Sequence, residues 1–465
     1  VGHPLIGILD VGKTHTRFIA VDARTGDVAT QQQRASGSIA GSSIRALDVL
    51  GIERWLRDTM AAFPDKAAIE ALVPIAHGAA AALLDADRQV QWVPDYEDPA
   101  FELAADDYRP QRDPFAETFS PYLPGGLNLG RQLHYLESRH ATQFQRVQCC
   151  LLYPQYWAWR LSGEQASEVT SLGCHTDLWR PREATASRLA DRRGWSRLLP
   201  ALRPASGTLG RVSAEWVRAT GLDPGCRVQC GIHDSNASYL SHRIGRPASQ
   251  PFAVVSSGTW VIVMAHGSDL TRLRESDDLL ANVDALGHAV PTARFMGGRE
   301  YQQIVGSSDA QVVSSDDALD SILRRRAFAL PPARAAAMQP GFAGRLVRAE
   351  GLDLKQRAAL ASAYLALRTD RRLSDLGAAG DIVIDGPLSA NRVFVELLAS
   401  LRPQSRIRWP VTRSGVSHSG VVRAGLILAG LRPPGKEFAE VETADPRPGF
   451  RAYHSEWTAL AYPPA

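Results

Sequence analysis

Residues 7–14, Gly-Ile-Leu-Asp-Val-Gly-Lys-Thr, have the spacing of a phosphate-binding P-loop. That device needs a loop between its glycines and a helix starting at the lysine, so that helix N-terminal amides meet the phosphate. Here the intervening Ile8-Leu9-Asp10-Val11 reads as strand, and His15-Thr16-Arg17 leads into Phe18-Ile19-Ala20-Val21, a second strand. The segment is therefore expected to be a hairpin. Its turn amides and the Thr14 and Thr16 hydroxyls could hold phosphate oxygens, with Arg17 closing the turn. Gly12 would allow close backbone approach, and Asp10 at the strand end could organise Mg2+ through water. Lys13 either adds positive charge beside the phosphates or points to solvent. An ordinary hairpin with a polar turn is the plain alternative.

A second carboxylate, Asp234, follows the apolar run Arg227–Ile232 in the segment Gly231-Ile232-His233-Asp234-Ser235. With an unperturbed pKa of about 3.9 it is ionised at neutral pH and can accept a proton. It could equally cap the helix suggested by residues 236–243, where Ser235 and Asn236 are good cap residues. His233 beside it either hydrogen-bonds a substrate or packs against the acid. The strand–turn–strand pattern returns at 252–265, with the polar turn Ser256-Ser257-Gly258-Thr259. A third glycine turn, Asp385-Gly386-Pro387-Leu388-Ser389, follows the strand 381–384. Turns of this kind could converge on one nucleotide. Gly297-Gly298 is a further candidate contact or simply a tight turn.

Positioning these residues falls to alternating strands and helices. A strand at 69–76 ends in His77-Gly78, an amphipathic helix is expected over 43–63, and a hairpin over 80–93. Residues 97–130 are rich in Pro, Asp and Gly and read as an irregular excursion. Helices are expected near 132–140, 154–161, 353–372 and from Ala390. The repeated strand–turn–strand suggests an internal duplication, with domains at 1–245 and 246–465, divided where Gly, Pro and Ser cluster near 245–250.

The 45% apolar and 22% charged content is that of a globular protein. A net charge of +3 with scattered arginines argues against a nucleic-acid partner. No apolar run reaches the roughly 18 residues of a membrane span, and Val1-Gly2-His3-Pro4 has no signal-peptide layout. The five cysteines are too few and too scattered for a disulfide framework, and Cys226 and Cys230 have no partner pair for zinc, so they read as buried thiols. A reducing cytoplasm fits this usage.

Taken in order, these segments resemble the FGGY carbohydrate kinases of the actin/Hsp70-like ATPase superfamily. Asp10-Val11-Gly12-Lys13-Thr14-His15-Thr16-Arg17 resembles their first phosphate motif, and Gly231–Ser235 the segment with the catalytic Asp. Ser256-Ser257-Gly258-Thr259-Trp260 resembles the second phosphate motif in its rhamnulokinase-type form, and Asp385–Asn391 the adenosine-contacting turn. Ala76-His77-Gly78 and Thr170-Ser171-Leu172-Gly173 match a sugar-contacting strand end and a Ser/Thr-rich loop less closely. The chain departs from the family at Lys13, at Gln132 where a Lys is usual, and at Pro387 in place of a second Gly.

The resemblance implies an α/β fold of two actin-like (ribonuclease H-like) lobes with an inter-lobe catalytic cleft. It also implies ATP and Mg2+ as cofactors, a small-molecule sugar as partner, and an open oligomeric state in which a homodimer is one option. Asp234 would be the catalytic base. Asp10, Gly12, Lys13, Thr14, Thr16, Arg17, Gly258, Thr259, Gly298, Gly386 and Asn391 would bind nucleotide. His77, Gly78, His233 and Asp234 would meet the sugar, and Asp10 and Asp234 the metal. The implied reaction is phosphorylation of a ketose, with a 6-deoxyhexulose of the L-rhamnulose or L-fuculose type first. A pentulose kinase, a non-catalytic sugar sensor and a P-loop NTPase are the alternatives.

Overall fold

A computed structural model describes residues 3–41, 43–306, 314–332, 342–411, 419–433, 435, 437–441 and 447–463; Val1-Gly2 lies outside them. The chain forms two compact units. The first comprises Val1–Ile244, Leu280–Val290 and Gly420–Gly435, and the second Gly245–Leu279, Pro291–Ser419 and Lys436–Ala465. The excursions of 280–290 and 420–435 into the first unit carry no compositional mark in the sequence.

In the first unit, strand β1 (Leu5–Val11) pairs antiparallel with β2 (His15–Asp22), which pairs with β3 (Val28–Ala35). Every residue of β1 is buried, including Asp10, and its otherwise apolar run is that of a strand covered on both faces. β3, rich in Gln, is the solvated edge. On its other side β1 pairs parallel with Ile69–Ala76, which pairs parallel with Arg227–Gln229 and Ile232–His233. Thr208–Arg211 closes the far edge. One face buries Leu9, Leu56, Met60, Trp157 and Trp216. The other buries Ile6, Ile8, Val73, Ile75 and Leu240.

The hairpin expected at 5–21 is present, and no helix follows Lys13, so the P-loop alternative is excluded. Helix α1 starts at Val49 rather than near 43, because Asp48 caps it through the Gly51 amide and Ala46–Leu47 pairs with Ser38–Ile39. The 97–130 excursion is less irregular than expected, containing the short helical turns Pro99–Ala104, Ala105–Tyr108 and Phe115–Thr118. The strand expected over 227–232 is broken at Gly231, whose φ is +86° and whose hypothetical Cβ would lie 2.5 Å from the Pro74 carbonyl oxygen.

The second unit repeats this pattern. Phe252–Ser257 pairs antiparallel with Val261–His266 and parallel with Asp381–Asp385, followed by Ile407–Val411 and the antiparallel edge Glu437–Val441. Val261–His266 pairs in turn with Ala289–Phe295. The strand order of β2, β1 and Ile69–Ala76 thus recurs, as the duplicated pattern predicts. Leu354–Leu376, with a complete Asp353/Gln356 capping box, and Arg392–Leu401 are its principal helices.

Candidate active site

β1, Ile69–Ala76 and Ile232–His233 run parallel, so their carboxyl ends share one edge of the first sheet. Binding groups gather outside such ends because the loops that follow the strands meet there. This edge brings together Asp10, His77-Gly78 and His233-Asp234. Asp10 is buried and lies directly across the hairpin from Arg17, whose Nη1 donates to Oδ2 at 2.8 Å. Burial raises the Asp10 carboxyl above its ordinary range; Arg17 opposes this, and the charge of Asp234 adds to it.

Asp234 is the first residue of the helix Asp234–Arg243, with His233 at the cap position instead of the expected Ser235 or Asn236. Its side chain is 35% exposed. Oδ1 accepts from the Ser235 amide at 2.6 Å and the Ser235 hydroxyl at 3.2 Å, and lies 3.3 Å from His233 Nε2. Among the described residues Oδ2 has no hydrogen-bond partner. One oxygen is tethered and the other is available for a proton. Burial alone would lower the His233 pKa, but the Cys174 sulfur and the Asp234 carboxylate raise it to about 9. Burial alone would raise Cys174, yet His175 and His233 bring it down to about 5.

His77 is buried, with its ring 4.9 Å from that of Tyr153, and burial pushes its pKa down to about 4, so it is neutral at neutral pH. Gly78 meets His233, not open space: a Cβ on it would come 2.8 Å from Nε2. Gly12 sits in the turn, its amide donating to the His15 carbonyl at 3.0 Å, and Thr14 is exposed there.

Two residues of this turn differ from expectation. Thr16 is fully buried, its hydroxyl 2.9 Å from that of Ser36, because β2 directs it to the face opposite Arg17. It is turned away from any phosphate at the loop. Lys13 neither stands free beside the turn nor points to solvent. Its ammonium is bonded to buried Asp95, lies 3.7 Å from Glu97, and sits 4.7 Å from the centre of the Tyr96 ring. Burial would raise Asp95, but Lys13 and the Ser38 hydroxyl hold it below the usual range. Gln132 is also structural: its Nε2 donates to the carbonyls of Ala79 at 2.8 Å and Gly126 at 2.5 Å.

In the second unit the 256–259 and 385–389 turns do converge. Ser256 is registered with Asp385, and the Ser257 hydroxyl donates to the Asp385 carbonyl at 2.7 Å while accepting from the Leu388 amide at 3.0 Å. Gly386 adopts φ +83°, and a Cβ there would lie 2.2 Å from the Ser257 carbonyl oxygen. Gly297-Gly298 starts the helix Gly297–Val305, not an isolated tight turn. A Cβ on Gly298 would lie 2.0 Å from the Gly258 carbonyl oxygen, so the helix start abuts the phosphate-type turn. Thr259 is half-buried and Gly258 exposed. Asn391 caps Arg392–Leu401 through the Phe394 amide and donates to Ser362 at 2.9 Å.

Sequence reasoning did not single out Cys174, Asp95 or Ser36, which are ordinary residue types whose partners are distant in the chain. All five cysteines are buried and unpaired, as their spacing suggested. No helix among the described residues is long and apolar enough to cross a membrane. Among the described residues no three His, Cys, Asp or Glu side chains form a metal cage. Asp10 and Asp234, whose charges repel, instead suit a hydrated divalent cation that keeps most of its waters.

Residues 249–429 match the family model of the carbohydrate kinase FGGY C-terminal domain. A solved structure of a carbohydrate kinase from Novosphingobium aromaticivorans is 35% identical, covers 99% of each chain, and superposes with a TM-score of 0.82. A ligand-bound xylulose kinase from Lactobacillus acidophilus is similar in fold at 16% identity, covering 98% of this chain and 97% of its own, with a TM-score of 0.76. So is a glycerol kinase from Plasmodium falciparum with ADP, at 12% identity, 99% and 98% coverage, and a TM-score of 0.72. No curated protein matches the sequence significantly. The two-unit α/β fold and these matches define a sugar-phosphorylating enzyme. The chain belongs to the FGGY carbohydrate kinase family.

Proposed function

We propose that the protein transfers the γ-phosphoryl group of ATP to a hydroxyl of a ketose, with Asp234 as general base. The observation that carries this is the asymmetry of the Asp234 carboxylate, tethered at Oδ1 and open at Oδ2. Oδ2 takes the hydroxyl proton as the sugar oxygen attacks phosphorus, while the tether fixes the carboxylate against rotation. His77, neutral and buried at the neighbouring strand end, offers the sugar a hydrogen bond that does not change with pH near neutrality. Neutral polar contacts suit an uncharged polyol.

In the second unit, the backbone surface at Gly258 and Thr259 and the turn at Gly386 are assigned to the nucleotide. In the first, the Gly12–Thr14 turn is assigned to phosphate. Asp10 and Asp234 would hold Mg2+ through its waters. The ion, when bound, supplies charge neutralisation on the phosphates. Arg17 opposes the effect of burial on Asp10 and so favours the ionised form that such a role requires. The Ser256-Ser257-Gly258-Thr259-Trp260 form supports a 6-deoxyhexulose of the L-rhamnulose or L-fuculose type as substrate.

The test is ADP release over a panel of 6-deoxyhexuloses and pentuloses, with wild type and Asp234→Asn. Sugar-stimulated turnover is expected to fall by about 10²–10⁴-fold in the variant. Equal turnover in both proteins would remove Asp234 from the chemistry, and preference for a pentulose would replace the substrate assignment.

A further inference from the structure

Three segments of the first unit close around the buried imidazole of His233. Its Nε2 lies 3.8 Å from the Cys174 sulfur as well as 3.3 Å from Asp234 Oδ1. Nδ1 faces Asn236 Nδ2 at 3.4 Å. Gly78 lies against the same ring edge, where a Cβ would come within 2.8 Å of Nε2 and 3.4 Å of the sulfur. The main chain is held too: the His233 amide donates to Thr170 Oγ1 at 3.1 Å, and that hydroxyl donates to buried Glu168 at 2.5 Å. Segment 168–174 therefore grips residue 233 twice, at the backbone through Thr170 and at the ring through Cys174.

The ring contact matters because Nε2 is one of the groups that occupies Asp234 Oδ1. An imidazole that swung away from the sulfur would loosen that tether and let the carboxylate rotate. Sulfur suits the position: it reaches further than a hydroxyl oxygen and fills more volume, so that 3.8 Å is still contact. Among the described residues the other four cysteines have no imidazole partner; burial pushes Cys149 up to about 11 and Cys226 up to about 12.

We propose that Cys174 is a positioning residue for phosphoryl transfer, seating the His233 imidazole so that Asp234 stays tethered at Oδ1 and presents Oδ2 to the sugar. The inference rests on the assignment of Asp234 as base. Its test is steady-state kinetics of Cys174→Ala, Cys174→Ser, His233→Ala and the double variant Cys174→Ala/His233→Ala, with Asp234→Asn alongside and thermal unfolding as the fold control. Cys174→Ala is expected to lower kcat by about tenfold while the KM for ATP changes less than twofold, since misplacement of a reacting group by a fraction of an ångström suffices for that. Cys174→Ser should recover part of the loss. In the His233→Ala background the cysteine substitution should cost nothing further, a coupling that a merely structural cysteine would not show.

Wild-type kcat in Cys174→Ala, or losses that simply add in the double variant, would overturn the proposal while leaving Asp234 as base if Asp234→Asn has lost its turnover. Should Cys174→Ala fail to fold, the same comparison is made with Cys174→Ser, where a kcat indistinguishable from wild type overturns it. Full turnover in Asp234→Asn would overturn both.

Discussion

Gly258→Ala separates what the 256–259 turn does for the nucleotide from what it does for the fold. Gly258 is exposed, its φ lies outside the left-handed region, and a Cβ built on it meets nothing within 4 Å. Its amide donates to the Trp260 carbonyl at 2.9 Å, a bond that alanine keeps. The folded chain therefore accepts the methyl without strain, and the loss of freedom in the unfolded chain adds about 0.4–1 kcal/mol of stability. What the methyl can strike is a ligand. A phosphate oxygen lying against the backbone would have to move by about 1 Å, and misplacement of that size costs about 10²-fold in rate, or about 2.7 kcal/mol. The assay is kcat/KM for ATP at saturating sugar, beside thermal unfolding. The expected result is a loss of about 10²-fold with a Tm equal to or slightly above wild type, and an unchanged KM for sugar. Gly298→Ala is the contrast, because its Cβ would press within 2.0 Å of the Gly258 carbonyl oxygen and displace the turn itself. It should lose stability as well as rate. Wild-type kcat/KM for ATP in Gly258→Ala would show that no phosphate approaches this turn.

Lys13→Met leaves buried Asp95 with Arg45 at 2.9 Å, Ser38 at 2.5 Å and the Glu97 amide at 3.0 Å as its remaining partners, so stability should fall by about 1–3 kcal/mol in urea titrations with kcat changed only a few-fold. A KM for ATP raised tenfold at unchanged stability would instead place the ammonium on the phosphates. Glu168 gives a pH-dependent prediction: burial raises its pKa from 4.5 to about 7, so the folded state binds the extra proton between those values. The Glu168 contribution to stability, read as the difference between wild type and Glu168→Gln, is then lost as pH rises through that window, by on the order of 3 kcal/mol, and is level above it. Glu168→Gln keeps an acceptor for Thr170 and should remove this slope; identical urea midpoint shifts between pH 5 and pH 8 in both proteins would refute it.

What the sequence made legible was local. The apolar runs on either side of residues 12–14 sufficed to tell a hairpin from a P-loop, and the same pattern at 252–266 revealed the repeated sheet. The positions of Asp10, His77 and Asp234 at strand ends were readable for the same reason. Contacts that depend on distant segments were not: Lys13 and Asp95 lie 82 positions apart, and Cys174 and His233 lie 59 apart. No periodicity relates such pairs, because loop closure and packing choose them. Thr16 is a different kind of failure. Asp10 stands opposite Arg17 and forms an ion pair with it, so those two share a face of the hairpin. Side chains alternate along a strand, and the neighbour of Arg17 must then point to the other face. With Asp10 and Arg17 on one face, the pleat places Thr16 on the other, so the three cannot share one phosphate site. The hydroxyl that Thr16 would have lent to phosphate is instead spent on Ser36, whose own hydroxyl donates to the Gly12 carbonyl at 2.7 Å. Thr16 therefore bears on the turn from behind, by fixing the residue that fixes its glycine.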